Sequence, residues 1–261
     1  MKKIRAVGGW GVAFAAALAS VAGAAETNVA DAAAAGIHRV ADVGKYAFVL
    51  FHRGGNGAAG ARETVKTAVA QSDGRAGSLE VEVSDPASAS TVRKYGADRA
   101  PLPLVLVIAP NGAVTAGFPE SCEPRALAEA MVGKTYAACL KSLQDGKLVF
   151  VTAPGTNAAN NQAAMKGVTE MAADERFAGY TDTLQVQADD NDGGELLAKL
   201  KVADAGKTPV TVLLAPPGRV VGTYTGATEK ATMVADLMRA MAGATGGSGG
   251  CGSGAAGCGA P

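Results

Sequence analysis

Apolar positions along this chain switch between helical spacing and strand spacing in two successive rounds. In the first round, helical spacing predicts a helix over 31–43, and the continuous apolar run 46–51 predicts a strand buried on both faces. The remaining predicted elements of this round are helix 61–71, strand 79–83, a short helix from Pro86 to Gly96, strands 103–109 and 113–118, and a helix that opens at Glu123-Pro124. The predicted order is α-β-α-β-α-β-β-α.

The second round follows a predicted helical connector at 135–144. Its predicted elements are strand 148–152, helix 159–173, strand 183–187, helix 195–200, strands 210–215 and 220–224, and helix 229–241. Each round is long enough for a small domain with its own core. The pattern therefore predicts two α/β domains in tandem, at 25–145 and 146–241.

One motif occurs in both rounds at a constant separation. Leu102-Pro103 starts an apolar run that ends in the turn Ala109-Pro110-Asn111-Gly112, and Thr208-Pro209 starts one that ends in Ala215-Pro216-Pro217-Gly218. The prolines are 209 − 103 = 106 residues apart, and the closing glycines are 218 − 112 = 106 residues apart. In each copy the turn residues predict a hairpin into a further strand.

This arrangement resembles the second half of the thioredoxin fold, in which a cis-proline precedes a central strand and a hairpin follows. The resemblance covers about residues 28–241 and implies two thioredoxin-like domains, each a central mixed sheet flanked by helices. It also implies cis bonds at Pro103 and Pro209, with Leu102 and Thr208 offering their backbone to an extended peptide. From the residues alone, the alternative is a trans proline at the first position of an edge strand.

The stretches that would carry the redox pair of the thioredoxin family contain no cysteine. They are His52 to Ala59 in the first copy and Pro154 to Asn160 in the second. Because a thiolate must attack the substrate disulfide, thiol–disulfide exchange is excluded at both positions. The chain thus resembles the non-catalytic domains of protein disulfide isomerases. That resemblance implies a peptide-binding, protein-binding or scaffold module with no catalytic residue and no cofactor.

A competing motif lies in the same stretch of the first copy. Gly55-Asn56-Gly57-Ala58-Ala59-Gly60 fits G-x-G-x-x-G, and Glu80 follows 80 − 60 = 20 residues later, as in dinucleotide-binding proteins. Against this alternative, His52-Arg53-Gly54 separates the strand from the first glycine, and the second copy lacks the motif. His52 and Arg53 themselves lie either against an anionic group or in a solvated loop.

The first residues of the chain predict export. Lys2, Lys3 and Arg5 precede an apolar stretch at 6–21, and Ala22-Gly23-Ala24 supplies the small residues that signal peptidase prefers. We therefore expect a signal peptide at 1–24, a periplasmic or extracellular location, and no stable membrane insertion after cleavage; an uncleaved anchor is the alternative. The 24 basic and 24 acidic residues balance, which indicates no nucleic-acid partner.

Export permits disulfides, so the four cysteines are considered in pairs. Cys122 and Cys139 flank the predicted last helix of the first domain and form either a structural disulfide or two separate thiols. Cys251 and Cys258 lie in the Gly/Ser-rich segment 242–261, which is predicted to be a disordered tail. These two cysteines pair with each other, bind a soft metal through two thiolates, or link to another chain.

Few other residues suggest chemistry. His38 and His52 are the only histidines, and no Ser/His/Asp set or carboxylate pair shows a recognisable spacing. The acidic run Asp189 to Gly193 is similar to a calcium loop but lacks the glutamate at its twelfth position. An exposed turn is expected there, and no metal site is predicted apart from the tail thiolates.

Overall fold

The computed structural model describes residues 31–202 and 205–245. The predicted signal peptide 1–24 and the tail cysteines Cys251 and Cys258 lie outside the described residues. Within the described ranges, no helix combines the length and the apolar character needed to cross a bilayer.

The first domain is built on a four-stranded mixed sheet with the order β2-β1-β3-β4. Strand β1 runs parallel to β2 and antiparallel to β3, which pairs antiparallel with β4. The strands are β1 (Tyr46–His52), β2 (Ala76–Glu82), β3 (Leu104–Ile108) and β4 (Val114–Pro119). The helices are α1 (Ala32–Asp42), α2 (Ala59–Ala70), α3 (Ala89–Lys94) and α4 (Pro124–Glu129), with 3-10 turns at Gly55–Ala58 and Pro86–Ser88.

The second domain repeats this topology with the strand order β6-β5-β7-β8 and the same parallel and antiparallel pairings. Its strands are β5 (Leu148–Ala153), β6 (Thr181–Gln185), β7 (Val210–Ala215) and β8 (Arg219–Thr225). Its helices are α5 (Lys134–Gln144), α6 (Ala158–Ala172), α7 (Asn191–Lys199) and α8 (Lys230–Thr245). The predicted fold class is confirmed: the chain contains two thioredoxin-like domains in tandem.

Both faces of each sheet are covered by apolar side chains. In β1, no residue from Ala47 to Phe51 is more than 2 % exposed, which explains the continuous apolar run in the sequence. Val49 and Phe51 pack on the side of α1 and α3, whereas Phe48 and Leu50 pack on the side of α2 and α4. Strand β5 divides its side chains between two layers in the same way.

Helix α5 belongs to the second sheet. We predicted residues 135–144 as a connector of the first domain, but Cys139 and Leu143 pack in the core that contains Val149 and Val151. The helix covers β5 as α1 covers β1, because its apolar side chains face that sheet. Gln144 also exchanges two hydrogen bonds with the backbone of Val114 in β4, at 2.9 and 2.7 Å, so α5 connects both domains.

The first helix is anchored by Asp31. Its carboxylate accepts hydrogen bonds from the N–H of Ala34 (2.8 Å) and from the N–H and hydroxyl of Thr91 (2.8 and 2.7 Å), and it also accepts from the Ser90 hydroxyl. Burial works in the opposite direction, but these hydrogen bonds outweigh it and hold the pKa of Asp31 well below its usual value. Asp31 thus caps α1 and ties it to α3.

We expect Asp31→Ala to lower the free energy of unfolding by about 2 kcal/mol at neutral pH, since it removes a helix cap and the link to Thr91. The folded-state pKa lies below the unfolded value of 3.8, so this contribution is present above about pH 4 and is lost as the pH falls further. Urea unfolding of both proteins across this range measures the difference. Asp31→Asn, which keeps a capping side chain, should lose less of the free energy of unfolding. A difference between the parent and Asp31→Ala that grows on acidification would contradict the role assigned to Asp31.

Candidate functional site

A groove lies where β1 ends and the chain approaches β3. It has a volume of about 350 Å³, and we call it the Pro103 groove. Its lining residues are His52, Arg53, Gly54, Gly57, Ala58, Ala100, Pro101, Leu102, Pro103 and Glu120. The tertiary structure therefore brings the predicted proline face and the stretch without the redox pair to one place.

The floor of this groove is the segment that leads into β3. The Leu102–Pro103 bond is cis, as predicted. The Pro103 carbonyl accepts the Glu120 N–H at 2.7 Å, which ties the floor to the end of β4. Strand pairing begins only at Leu104, and within the described part of the chain no backbone hydrogen bond is made by Leu102. The N–H and C=O of Leu102 can therefore pair with an added extended segment.

The corresponding face of the second domain is closed at Pro209. A larger cavity of about 500 Å³ beside the same loop is lined by Pro154, Gly155, Thr156 and Gly206 but not by Pro209. The Pro209 carbonyl accepts the Gly226 N–H at 2.8 Å, just as Pro103 accepts from Glu120. The cis bonds of the described residues are Leu102–Pro103 and Pro216–Pro217, so the prediction of a cis bond at Thr208–Pro209 was wrong. The cavity beside Pro209 measures only about 20 Å³. The two prolines start similar strands, but the loop that lies opposite each proline differs.

The loop after β5 closes the second face. A Cβ placed on Gly155 would lie 2.7 Å from the Lys207 oxygen and 2.8 Å from the Pro209 nitrogen, so only glycine fits. The Thr156 N–H donates to the same Lys207 carbonyl at 3.3 Å. The Asn161 side chain holds the loop by accepting the Gly155 N–H (2.8 Å) and donating to its carbonyl (2.9 Å).

The two loops differ at one structurally equivalent position. Phe51 pairs with Leu104 and Ala153 pairs with Val210, so Gly155 occupies the place of Arg53. The close approach at Gly155 leaves no room for a Cβ, and Arg53 carries one. Sequence analysis missed the roles of Gly155 and Asn161. The exchange of arginine for glycine was visible, but its effect depends on the backbone that lies opposite.

His52 forms the buried base of the groove wall. It is the last residue of β1 and only 8 % exposed, so it does not lie in a solvated loop. Its Nδ1 accepts the Gly54 N–H at 2.9 Å, and its Nε2 lies 3.5 Å from Glu80 Oε2. The neighbouring Arg53 is exposed at the groove, where its guanidinium is available to solvent or to a ligand.

The glycine-rich stretch does not have the geometry of a dinucleotide site. Gly55–Ala58 is a 3-10 turn, and α2 begins only at Ala59. Glu80, the acid expected to bind a ribose, is bonded to Arg62 of α2 at 2.7 Å and faces His52. The antiparallel pairing of β1 with β3 also departs from the parallel sheet of dinucleotide-binding folds. Sequence analysis missed Arg62, whose role depends on how α2 packs against β2.

The described cysteines are free thiols in different cores. Cys122 packs beneath α2 and α4 of the first domain, whereas Cys139 packs against the second sheet. Of the two alternatives for this pair, the structure has two separate thiols and no disulfide, because α5 faces the other domain. Burial raises the pKa of Cys139 to about 11 and raises that of Cys122 as well. Neither of these cysteines lines the Pro103 groove, so the described residues supply no thiolate nucleophile to it.

The acidic run at 189–193 serves helix ends. Asp190 caps α7 by accepting the Gly193 N–H at 3.3 Å. Asp192 and Glu195 accept the first N–H groups of α5, from Lys134 at 3.2 Å and from Gly133 at 3.0 Å. These carboxylates satisfy the unpaired donors of a helix start and neutralise its positive end. Among the described residues, no group of three or more His, Cys, Asp or Glu side chains could hold a metal ion.

No protein-family model matches this sequence, and no curated protein is significantly similar to it. Solved structures are similar at low identity. A thioredoxin from Thermus thermophilus is 22 % identical over 44 % of this chain and 90 % of its own, with a TM-score of 0.31.

Other solved structures cover more of the chain. The first two thioredoxin domains of Saccharomyces cerevisiae Eps1p are 11 % identical over 77 % of this chain and 93 % of their own, with a TM-score of 0.27. The bb fragment of ERp72 is 11 % identical over 80 % of this chain and 94 % of its own, also with a TM-score of 0.27. The fold assignment rests on the strand order and pairing of the two sheets described above.

Proposed function

We propose that this protein is a non-catalytic binding module whose first domain holds an extended peptide, or an unfolded segment of another protein, in the Pro103 groove. The observation that carries this proposal is the difference between the two proline faces. One lines a cavity of about 350 Å³ and the other a cavity of about 20 Å³. The second domain, with its face closed, acts as a scaffold that supports the first through α5.

The recognition mode we propose is strand-like pairing with the backbone. A peptide lying across Leu102 gains main-chain hydrogen bonds that do not depend on its sequence. Arg53 and Glu120 place one positive and one negative group at the groove, which adds no strong preference for net charge. The basic and apolar residues at 2–21 support export, so we propose a periplasmic or extracellular site of action.

Blocking the groove tests this function. A Cβ on Gly57 meets no atom within 4 Å, so Gly57→Trp is tolerated by the backbone and fills the groove with its indole. We expect at least about tenfold weaker binding of a fluorescently labelled, reduced and carboxymethylated lactalbumin, because the peptide path is obstructed. Fluorescence anisotropy titration of residues 25–261 measures the affinity.

The matched control is Gly60→Trp. Gly60 is equally open to a side chain but does not line the groove, so this variant should bind like the parent protein. Equal weakening by both tryptophans, or the absence of saturable binding by the parent protein, would refute the assignment.

Reduction of insulin disulfides should remain at background; turnover by a Cys251→Ser, Cys258→Ser double variant would contradict the non-catalytic part of the proposal.

A further inference from the structure

We propose that His52 is a pH-dependent latch of the Pro103 groove. Its neutral imidazole holds the groove wall in place, and its protonation releases the wall and weakens peptide binding. This regulation rests on the proposed function of the groove, and the first experiment below tests the latch without any peptide.

The latch is a single hydrogen bond at the base of the wall. The wall follows directly after β1 and consists of Arg53, Gly54, Gly57 and Ala58. His52 Nδ1 accepts the Gly54 N–H at 2.9 Å. Gly54 and Gly55 have φ values of +85° and +66°, so the chain turns sharply where the imidazole holds it. Because His52 is 8 % exposed, water has little access to replace this bond.

Protonation is incompatible with this hydrogen bond. A ring nitrogen that accepts an N–H carries no hydrogen itself, so the neutral imidazole has its hydrogen on Nε2, which lies 3.5 Å from Glu80 Oε2. A second proton must go to Nδ1, where it would point at the Gly54 N–H. The bond then breaks and Gly54 moves away. Histidine is the side chain that undergoes this change near neutral pH.

Two carboxylates of β2 lie near the imidazole and the groove wall. Glu82 lies beside the latch, since its Oε1 would be 3.1 Å from a Cβ on Gly54, and the Ser84 hydroxyl donates to it at 2.7 Å. Glu82 lies opposite His52 in the pairing of β1 with β2, so we expect its carboxylate to accept from Nδ1–H once the wall has moved. The charged groups that face the imidazole or the groove wall are Glu80 and Glu82 on β2, Arg62 on α2, Arg53 in the wall, and Glu120 after β4.

The first experiment follows the latch by NMR in the absence of peptide. The ¹⁵N-labelled protein is titrated between about pH 8 and pH 5, and the Gly54 amide is compared with both histidine rings. We expect the Gly54 amide to shift and to lose exchange protection with the midpoint of the His52 ring. His38, which is exposed on α1, should titrate without affecting Gly54. A Gly54 amide that stays unchanged while His52 titrates overturns the proposal.

The second experiment measures affinity for the labelled lactalbumin at about pH 7.5 and about pH 5.5. The parent protein should bind about tenfold more weakly at the lower pH, the size of one net hydrogen bond. His52→Asn keeps an acceptor in the place of Nδ1 but cannot be protonated, so its affinity should be the same at both pH values. His38→Asn should lose affinity at the lower pH as the parent protein does. The same pH dependence in His52→Asn and in the parent overturns the latch. Absence of binding at both pH values overturns the proposed function, and the Gly54 amide still decides whether the latch exists.

Discussion

Replacing Gly167 by alanine is expected to destabilise the second domain by about 3–4 kcal/mol. Gly167 lies inside α6, where helix propensity alone would favour alanine by about 1 kcal/mol. The added Cβ would overlap the Thr228 carbonyl oxygen and come within 2.9 Å of Met233 Cε. Because that oxygen belongs to the backbone that leads into α8, it cannot move without displacing the helix. The overlap therefore outweighs the gain in propensity.

The matched control is the same substitution in the first domain. Gly60 lies in α2, and a Cβ there meets no atom within 4 Å, so Gly60→Ala should stabilise the protein by about 0.5 kcal/mol. Urea unfolding followed by far-UV circular dichroism compares the two variants with the parent. Amide hydrogen exchange in β5 and β7 assigns the loss to the second domain. If Gly167→Ala were as stable as the parent, the close contact between α6 and Thr228 would be refuted.

Gly155→Ala is expected to destabilise the second domain by about 2–3 kcal/mol and to lift the loop from the Pro209 face. The new Cβ would meet three backbone atoms, of Lys207, Thr208 and Pro209, at 2.7–2.8 Å. None of these atoms can rotate away as a side chain would. The loop must therefore move, and the hydrogen bond from the Thr156 N–H to the Lys207 carbonyl is lost.

The readout for this loop is the Thr156 amide, whose hydrogen exchange should become much faster in Gly155→Ala. Arg53→Ala is the control in the first domain, because Arg53 is exposed at the equivalent position and its removal should change stability by less than about 0.5 kcal/mol. Unchanged stability and unchanged Thr156 exchange in Gly155→Ala would show that the loop does not rest on residues 207–209.

The fold was predictable because its signals are local. The runs 46–51 and 210–215 correspond to β1 and β7, which are buried on both faces and therefore have no alternation. The partly exposed strand β6 was placed two residues too late, at 183–187 and not Thr181–Gln185. Its bounds are set by pairing with β5, in which Leu148 lies opposite Thr181. A partner strand is not visible in a local pattern.

The difference in shape between the two proline faces was not predictable in the same way. Both copies have a proline before the central strand, and both lack the cysteine pair. The sequence alone therefore assigned the same role to Pro103 and Pro209. The difference arises across the groove, where Gly155 lies so close to the backbone of residues 207–209 that a Cβ would not fit, and Arg53, which has one, occupies the equivalent position. This contact joins residues that are 207 − 155 = 52 positions apart in the chain.

The sequence by itself determined the two-domain order, the apolar central strands, the repeated proline motif and the absence of cysteine from both redox positions, because each of these is a property of residue type and local spacing. Only the tertiary structure decided that the face at Pro103 is open and the one at Pro209 closed, and that α5 covers the second sheet. It also decided that Cys122 and Cys139 lie in separate cores and that His52 is buried against Gly54 and Glu80. These features depend on which distant backbone lies opposite each residue, and no local pattern encodes that distance.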